Sequence, residues 1–254
     1  MQTATALALA QDLGVLALFV VTPWLDVPAA RRLRAHPDPA ARLRLYRRGF
    51  IGLWLGFAYA CFAAAGPARL WSLLRAPGEW TWLDHPLGLG AATFVCLAFA
   101  VAAMMPGVRG LQGPAQRARY VRAMQPLAFF LPDSPLQRRW WVALSVAAGV
   151  CEEFVFRGFL IHYFRGTLEG PFHLGLTSAV LMSTLAFGLG HAYQGVGGIV
   201  RTAFAGLIFA LLTVLSGSLL LPIVLHVLAD LTAIFVYRPD RDAADAGRGA
   251  AQAT

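Results

Sequence analysis

The chain has 254 residues, of which 58% are hydrophobic and only 13% are charged. A soluble domain usually carries about 25% charged residues, so this composition excludes an ordinary soluble enzyme, a disordered protein and a disulfide-rich scaffold. Most of the sequence consists of apolar stretches of about 20 residues, the length that an α-helix needs to cross a bilayer. The composition therefore predicts an all-α, polytopic transmembrane helix bundle.

Seven or eight membrane spans fit the hydrophobic pattern. Seven are predicted at about 3–25, 50–74, 86–108, 140–164, 174–193, 199–215 and 218–237. An eighth depends on whether the long Arg- and Pro-rich segment 109–139 contains a re-entrant stretch; part of it is expected on the membrane surface. The pattern divides the chain into N-terminal helices with basic loops (1–139), a core (140–237) and a tail (238–254) expected to be disordered.

The 21 basic residues are all Arg and exceed the 13 acidic residues, giving a net charge of +8. They cluster between spans: the loops after the first and third spans hold seven and six Arg, those after the second and fourth one each. Arg in such places sets membrane topology and contacts anionic headgroups, so the bilayer, and not nucleic acid, is the expected partner. The positive-inside rule places the N-terminus outside and the C-terminus in the cytoplasm, in a membrane of the bacterial inner type.

Ionisable side chains inside predicted spans mark function by default, because burying them in lipid is costly. Glu152 and Glu153 are adjacent in the middle of the fourth span. Arg157 follows Glu153 by four residues and lies on the same helical face, so these two can pair. The Glu152 side chain points about 100° away from that of Glu153, so its carboxylate is not needed for this ion pair and is available for a functional role.

Two further spans carry costly polar groups. The fifth contains Phe187 and ends at His191, while the seventh carries His226 and Asp230 one helical turn apart. Depth along the spans brings Glu152 and His226 to a similar level, whereas His191 lies closer to the cytoplasm. We expect these groups to share one polar intramembrane cavity.

Such a set suits hydrolysis. A carboxylate can act as general base for water, and imidazoles can hydrogen-bond the water, the substrate carbonyl or a developing oxyanion. Glu152, His191 and His226 could also hold a divalent metal such as zinc, because His₂Glu is a catalytic zinc set. Neither HExxH nor GxSxG occurs in the chain, so the soluble zinc-protease and serine-hydrolase patterns are absent.

Plainer interpretations exist for each residue taken singly. Glu153 with Arg157 is a structural ion pair, Phe187 is packing, and His226 with Asp230 is a pair satisfied on one helix face. A further alternative, from a different class, is a non-catalytic membrane protein or a proton-coupled transporter that uses the cluster as a proton relay. A joint site on three helices accounts for all four costly groups at once.

The residues match three motifs in order: EExxxR at 152–157, FxxxH at 187–191 and HxxxN/D at 226–230. Together they resemble the signature of the CAAX-processing and bacteriocin-processing (CPBP, or Abi) family of intramembrane endopeptidases, which includes the type II CAAX prenyl endopeptidases. The resemblance covers about 140–237. It implies a helical membrane protease with a cavity facing the cytosol and a membrane-associated peptide or protein as substrate.

The resemblance also implies roles for individual residues. Glu152 would activate water with help from His191, His226 and Asp230 would stabilise the oxyanion, and Glu153 and Arg157 would orient the site. One departure is Asp230, where many members have Asn: an ionised Asp cannot donate a hydrogen bond. The family is often called a metalloprotease, yet glutamate-activated water without metal is equally compatible with these residues, so the cofactor is left open.

Overall fold

The computed structural model describes residues 2–64, 86–172 and 175–237. Nearly all of these residues are helical and none is in a strand, which confirms the all-α prediction. The predicted tail and the end of the predicted second span lie outside the described residues.

The N-terminal half begins with a long, interrupted helix. A π-helical turn, Ala17–Val21, joins its first two parts, and Asp26 separates the second from the third. Two longer helices and one short basic helix follow. The elements are α1 (Gln2–Leu16), α2 (Thr22–Leu25), α3 (Val27–Ala35), α4 (Pro39–Ala63), α5 (Pro86–Gly110) and α6 (Pro114–Met124).

Five helices make up the second half. The first two are joined without a break by the π-helical segment Glu153–Leu160, and a 3₁₀ turn, Ala192–Gln194, precedes the fourth. The elements are α7 (Pro135–Glu152), α8 (Ile161–Phe172), α9 (Gly175–Gly190), α10 (Val196–Ser216) and α11 (Leu220–Val236).

The lengths of the apolar helices and the apolar side chains on the protein surface both indicate that the protein is inserted in a membrane. Three helical stretches are long and apolar enough to cross a bilayer, Thr5–Ala35, Pro86–Gly110 and Val196–Ser216, and two shorter apolar helices are Gly175–Gly190 and Leu220–Val236. Large apolar side chains such as Leu87 and Phe94 are more than two-thirds exposed. Apolar surface on this scale indicates contact with lipid, so this is an integral membrane protein.

Helices α7 and α11 run antiparallel and in close contact because Gly149 lies between them. A Cβ on Gly149 would lie 2.4 Å from Val227 Cγ2 and 3.1 Å from the Val227 amide nitrogen. Further toward the start of α7, the indole Nε1 of Trp141 donates to the backbone carbonyl of Asp230 over 3.0 Å. This register brings Glu152, at the end of α7, and Glu153, which follows it, alongside His226.

The π-helical segment widens the turn immediately after Glu152. Within it, the carbonyl of Phe156 accepts a hydrogen bond from the Ser183 hydroxyl of α9 over 2.6 Å. Wide turns of this kind commonly occur at functional sites. Ser183 is buried, so the bond fixes the widened turn against α9.

We predict that Gly149→Ala lowers the free energy of unfolding by about 1–3 kcal/mol, the usual cost of overpacking. Its new methyl group would push α7 away from α11. Thermal unfolding of the purified protein in detergent measures the change. Gly56→Ala is the matched control, because a Cβ there meets nothing within 4 Å. Equal melting temperatures for the two variants would contradict close α7–α11 packing.

Candidate active site

One oxygen of Glu153 joins the two helices of the site. Glu153 Oε1 accepts from Arg157 Nη1 over 3.1 Å and from His226 Nδ1 over 2.8 Å. The side chains of Glu153 and Arg157 are 0% exposed, so the ion pair predicted from the sequence forms and is fully buried. A carboxylate can only accept here, so the shared proton stands on Nδ1 of His226.

Arg157 is held by more than its ion pair. Its Nη2 donates to the Gly206 carbonyl of α10 over 3.2 Å, and its guanidinium carbon lies 4.1 Å from the ring centroid of Phe187. A Cβ on Gly206 would lie 2.8 Å from Phe187 Cδ1 and 3.3 Å from Arg157 Nη2. The missing side chain at 206 is therefore what admits Arg157 and Phe187 together.

The other nitrogen of His226 faces two carboxylates that do not touch it. Nε2 lies 3.8 Å from Glu152 Oε2 and 4.0 Å from Asp230 Oδ2, both too long for hydrogen bonds. Glu152 Oε2 has no hydrogen-bond partner among the described residues. Gaps of this size are bridged by a water or a substrate oxygen.

Exposure separates the inner and outer parts of the cluster. The Glu152 and Asp230 side chains are 17% and 38% exposed, whereas Glu153 is fully buried. The two carboxylates near Nε2 thus face the open side, where a substrate can enter. The pairing of His226 with Asp230 alone is not what the structure shows, because Nδ1 is engaged by Glu153.

His191 also packs against Phe187. The Phe187 ring centroid is 4.8 Å from that of His191 and 6.0 Å from that of His226. His191 Nδ1 donates to the Phe187 carbonyl over 2.8 Å, which leaves Nε2 as its free ring nitrogen. Helix α9 ends at Gly190, so His191 stands in the following turn. The Phe187 ring therefore packs against both imidazoles, and His191 lies just beyond the helix that carries Phe187.

Several residues that position the site escaped the sequence reasoning. Ser183 fixes the π-helical turn, Gly206 admits Arg157, and the Phe209 ring centroid lies 5.4 Å from that of His226. Trp141 is buried and donates to the Asp230 carbonyl. Only Ser183 carried a readable signal, since it lies four and eight residues before Phe187 and His191, on one helical face.

The metal set named from the sequence was tested against this geometry. Within residues 2–64, 86–172 and 175–237, no group of three His, Cys, Asp or Glu side chains is arranged to hold a metal ion. Nδ1 of each imidazole is engaged, by Glu153 and by the Phe187 carbonyl, and Nε2 of each remains as the ring nitrogen available to another ligand. The metal set of Glu152, His191 and His226 therefore stays a prediction, and the reaction below is derived from the side chains alone.

Comparison with protein families agrees with the site. Residues 135–232 match the family described as type II CAAX prenyl endopeptidase Rce1-like. The match contains all three motifs and every residue of the cluster. This match supports assignment of the segment to the CPBP/CAAX protease family. Comparisons with curated proteins and with solved structures gave no match.

Family membership gives the cluster a context but assigns no role to a single residue. It indicates a protease of the CAAX type that acts on a membrane-associated protein. The structure adds which groups of the CAAX segment meet: Glu152, Glu153, Arg157, His226 and Asp230 in one cluster, with His191 across Phe187.

We predict that Glu153→Gln lowers the amount of folded protein in the membrane. Removing one member of a buried ion pair costs about 3–5 kcal/mol, because the Arg157 charge loses its counterion. Detergent-extracted, monodisperse protein measured by fluorescence size-exclusion chromatography reports the change. Asp38→Asn is the matched control: it weakens an exposed pair with Arg44, worth about 0–1 kcal/mol, and Asn still caps α4. Equal yields would contradict a structural role for Glu153.

Proposed function

We propose that the protein is an intramembrane endopeptidase that hydrolyses a peptide bond of a membrane-associated protein or peptide with water activated by Glu152. The observation that carries this proposal is Glu152 Oε2, a buried oxygen with no hydrogen-bond partner among the described residues, 3.8 Å from His226 Nε2. A carboxylate oxygen that no protein donor occupies can take a proton from water as a general base. The match to the CAAX endopeptidase family supports the same reaction class.

The reaction begins with a water bound between Glu152 and the substrate carbonyl. Glu152 takes a proton while the water oxygen bonds to the carbonyl carbon, and the C=O electron pair moves to the oxygen. The tetrahedral intermediate collapses as the C–N bond breaks. Glu152 then returns its proton to the leaving amine, so the carboxylate is regenerated and one water is consumed. His191 Nε2, on the neighbouring turn, accepts from the water and helps to orient it.

His226 and Asp230 stabilise the oxyanion of the tetrahedral intermediate. Since Nδ1 of His226 is bonded to Glu153, Nε2 donates to the oxyanion when it carries the second imidazole proton. Glu153 compensates the resulting imidazolium, as carboxylates do for active-site histidines. Asp230 donates alongside it in its protonated form. Glu153 and Arg157 position His226 and do not touch the substrate.

The membrane places the site where such substrates are found. The Arg-rich segments at 31–48 and 109–139 favour a cytoplasmic position for the ends of the first and third spans and for the C-terminus, in a bacterial inner membrane. His191 stands past the end of α9, and Arg34 of the first Arg-rich segment contacts the Tyr193 carbonyl. The site then opens to the cytosolic face, from which a membrane-tethered peptide reaches it.

We predict that Glu152→Gln lowers the rate of peptide cleavage by about 10²-fold or more, because the amide keeps the shape but cannot accept the proton from water. A fluorescence-quenched CAAX peptide assayed with purified protein in nanodiscs measures the rate. Asp38→Asn, the same chemical change on the surface, is expected to cleave at the wild-type rate. Full activity of Glu152→Gln would refute the carboxylate base. Loss of a proton-coupled solute flux in that variant, without any peptidase activity in the wild type, would favour the proton-relay alternative.

We predict that Asp230→Asn keeps or raises activity and extends it to higher pH, because the amide donates at every pH whereas the carboxyl stops donating once ionised. The alternative, in which Asp230 orients His226, is disfavoured by the bond from Nδ1 to Glu153. The pH–rate profiles of both forms on one peptide decide between them. A uniform loss of about 10-fold in the Asn variant, the size typical of a removed orienting partner, would exclude the donor role.

A further inference from the structure

A turn between α6 and α7 carries two backbone carbonyls that side chains of α4 hold in place. Arg42 Nε donates to the Phe129 carbonyl over 2.9 Å, and the Tyr46 hydroxyl donates to the Phe130 carbonyl. Arg42 and Tyr46 lie one helical turn apart on α4, and both are buried. One face of α4 therefore fixes two consecutive peptide units of the turn.

The charge of Arg42 is neutralised within a buried network. Arg42 Nη1 donates to a carboxylate oxygen of Asp133 and, over 3.1 Å, to Gln137 Oε1. The same Gln137 oxygen accepts from the Asp133 amide over 3.1 Å, and Gln137 Nε2 donates to the Pro39 carbonyl over 3.2 Å. Buried polar groups that are hydrogen-bonded to one another form a rigid unit, so the turn is held firmly between α4 and the start of α7.

The Phe130 ring of this turn packs among three other aromatic rings. Its centroid lies 5.4 Å from that of Tyr46, 5.2 Å from that of Trp141 and 5.6 Å from that of Tyr193. The Tyr193 centroid in turn lies 5.8 Å from that of His191. Aromatic rings at these separations attract one another in preferred orientations. Phe130 thus links the beginning of α4 to the turn that follows α9.

This link matters for His191 because that residue does not lie within a helix. It stands in the turn after α9, where its amide donates to the Gly188 carbonyl over 3.0 Å and its carbonyl accepts from the Gln194 amide over 2.9 Å. A misplacement of about 1 Å in an active site can lower the rate about 10²-fold. Packing of Tyr193 on Phe130 adds a lateral constraint that a helical backbone does not supply at this position.

The residues of this assembly that precede α7 lie outside the family match. Arg42, Tyr46 and Phe130 all come before residues 135–232, the segment that matches, and none belongs to the three motifs. Their connection to the candidate active site follows from contacts in space between distant parts of the chain.

We propose that Phe130 is a positioning residue of the active site, because its ring packs on Tyr193 and thereby fixes the turn that places His191. Arg42 and Tyr46 hold Phe130 where it can do so. The inference rests on the proposed peptidase function, in which His191 orients the water, and it extends the machinery of the site to α4. Phe130 does not touch the substrate, so its loss affects bond cleavage and leaves substrate binding unchanged.

Hydrogen exchange tests the fixed turn without any substrate. Phe130→Leu keeps an apolar side chain but removes the ring. In nanodiscs, with exchange read by mass spectrometry of peptic peptides, we expect the amides of 191–195 to exchange about 10-fold faster in this variant than in the wild type, because the turn opens more often. Phe94→Leu is the matched control, since its ring is 71% exposed, and it should leave exchange at 191–195 unchanged.

Cleavage of the fluorescence-quenched CAAX peptide tests the consequence for catalysis. We expect Phe130→Leu to lower kcat about 10-fold, as the loss of an orienting partner does, and to change KM less than about twofold. Tyr193→Leu should lower kcat to a similar extent, whereas Tyr193→Phe, which keeps the ring, should cleave at the wild-type rate. The double variant Phe130→Leu with Tyr193→Leu should also lose about 10-fold and not about 100-fold, because both changes break one contact.

Three outcomes would overturn the proposal: unchanged exchange at 191–195 in Phe130→Leu, an unchanged kcat, or losses that multiply in the double variant. If Phe130→Leu does not fold, Tyr46→Phe takes its place, since it removes only the hydroxyl that binds the Phe130 carbonyl. Exchange should then rise about threefold, as the loss of one hydrogen bond allows, and no rise would overturn the proposal. The proposed function fails separately, if wild-type protein does not cleave the peptide; hydrogen exchange then still decides whether Phe130 fixes the turn.

Discussion

The buried carboxylate of Glu153 holds the site together, because one of its oxygens binds both Arg157 and His226. An unpaired charge in such surroundings would cost several kcal/mol, so the three groups must lie together or the helices must separate. Their meeting fixes α7 against α11 and sets which nitrogen of His226 faces the substrate. Gly149 and Gly206 serve this arrangement by leaving room for it.

The neighbouring residues Glu152 and Glu153 therefore have different roles, which follow from their positions. Glu153 is fully buried and its Oε1 binds Arg157 and His226, while the Glu152 side chain is 17% exposed and its Oε2 has no hydrogen-bond partner among the described residues. The widened turn that begins at Glu153 is fixed by Ser183. The proposed base Glu152 and the positioning residue Glu153 are therefore adjacent in sequence, but their side chains differ in exposure, 17% against 0%.

The sequence was sufficient to predict the helical membrane fold, the Glu153–Arg157 pair and the family, because each rests on local signals: apolar length, i to i+4 spacing and ordered motifs. It was insufficient where partners come from distant helices. The bond from Glu153 to His226 spans 73 residues, and spacing alone suggested Asp230 as the partner of that imidazole. The bond from Trp141 to the Asp230 carbonyl was equally unpredictable, because it depends on how α7 and α11 pack.

The arrangement of the site depends on a hydrogen bond in which a protonated Nδ1 of His226 donates to the Glu153 carboxylate. Nitrogen-15 NMR of histidine-labelled protein in nanodiscs measures it directly, with the His226 signals assigned by their loss in His226→Gln. The account predicts a protonated Nδ1 of His226 across the pH range in which the protein is folded, and loss of this fixed state in Glu153→Gln protein that remains folded. A His226 that carries its single proton on Nε2 in the wild type would contradict the account.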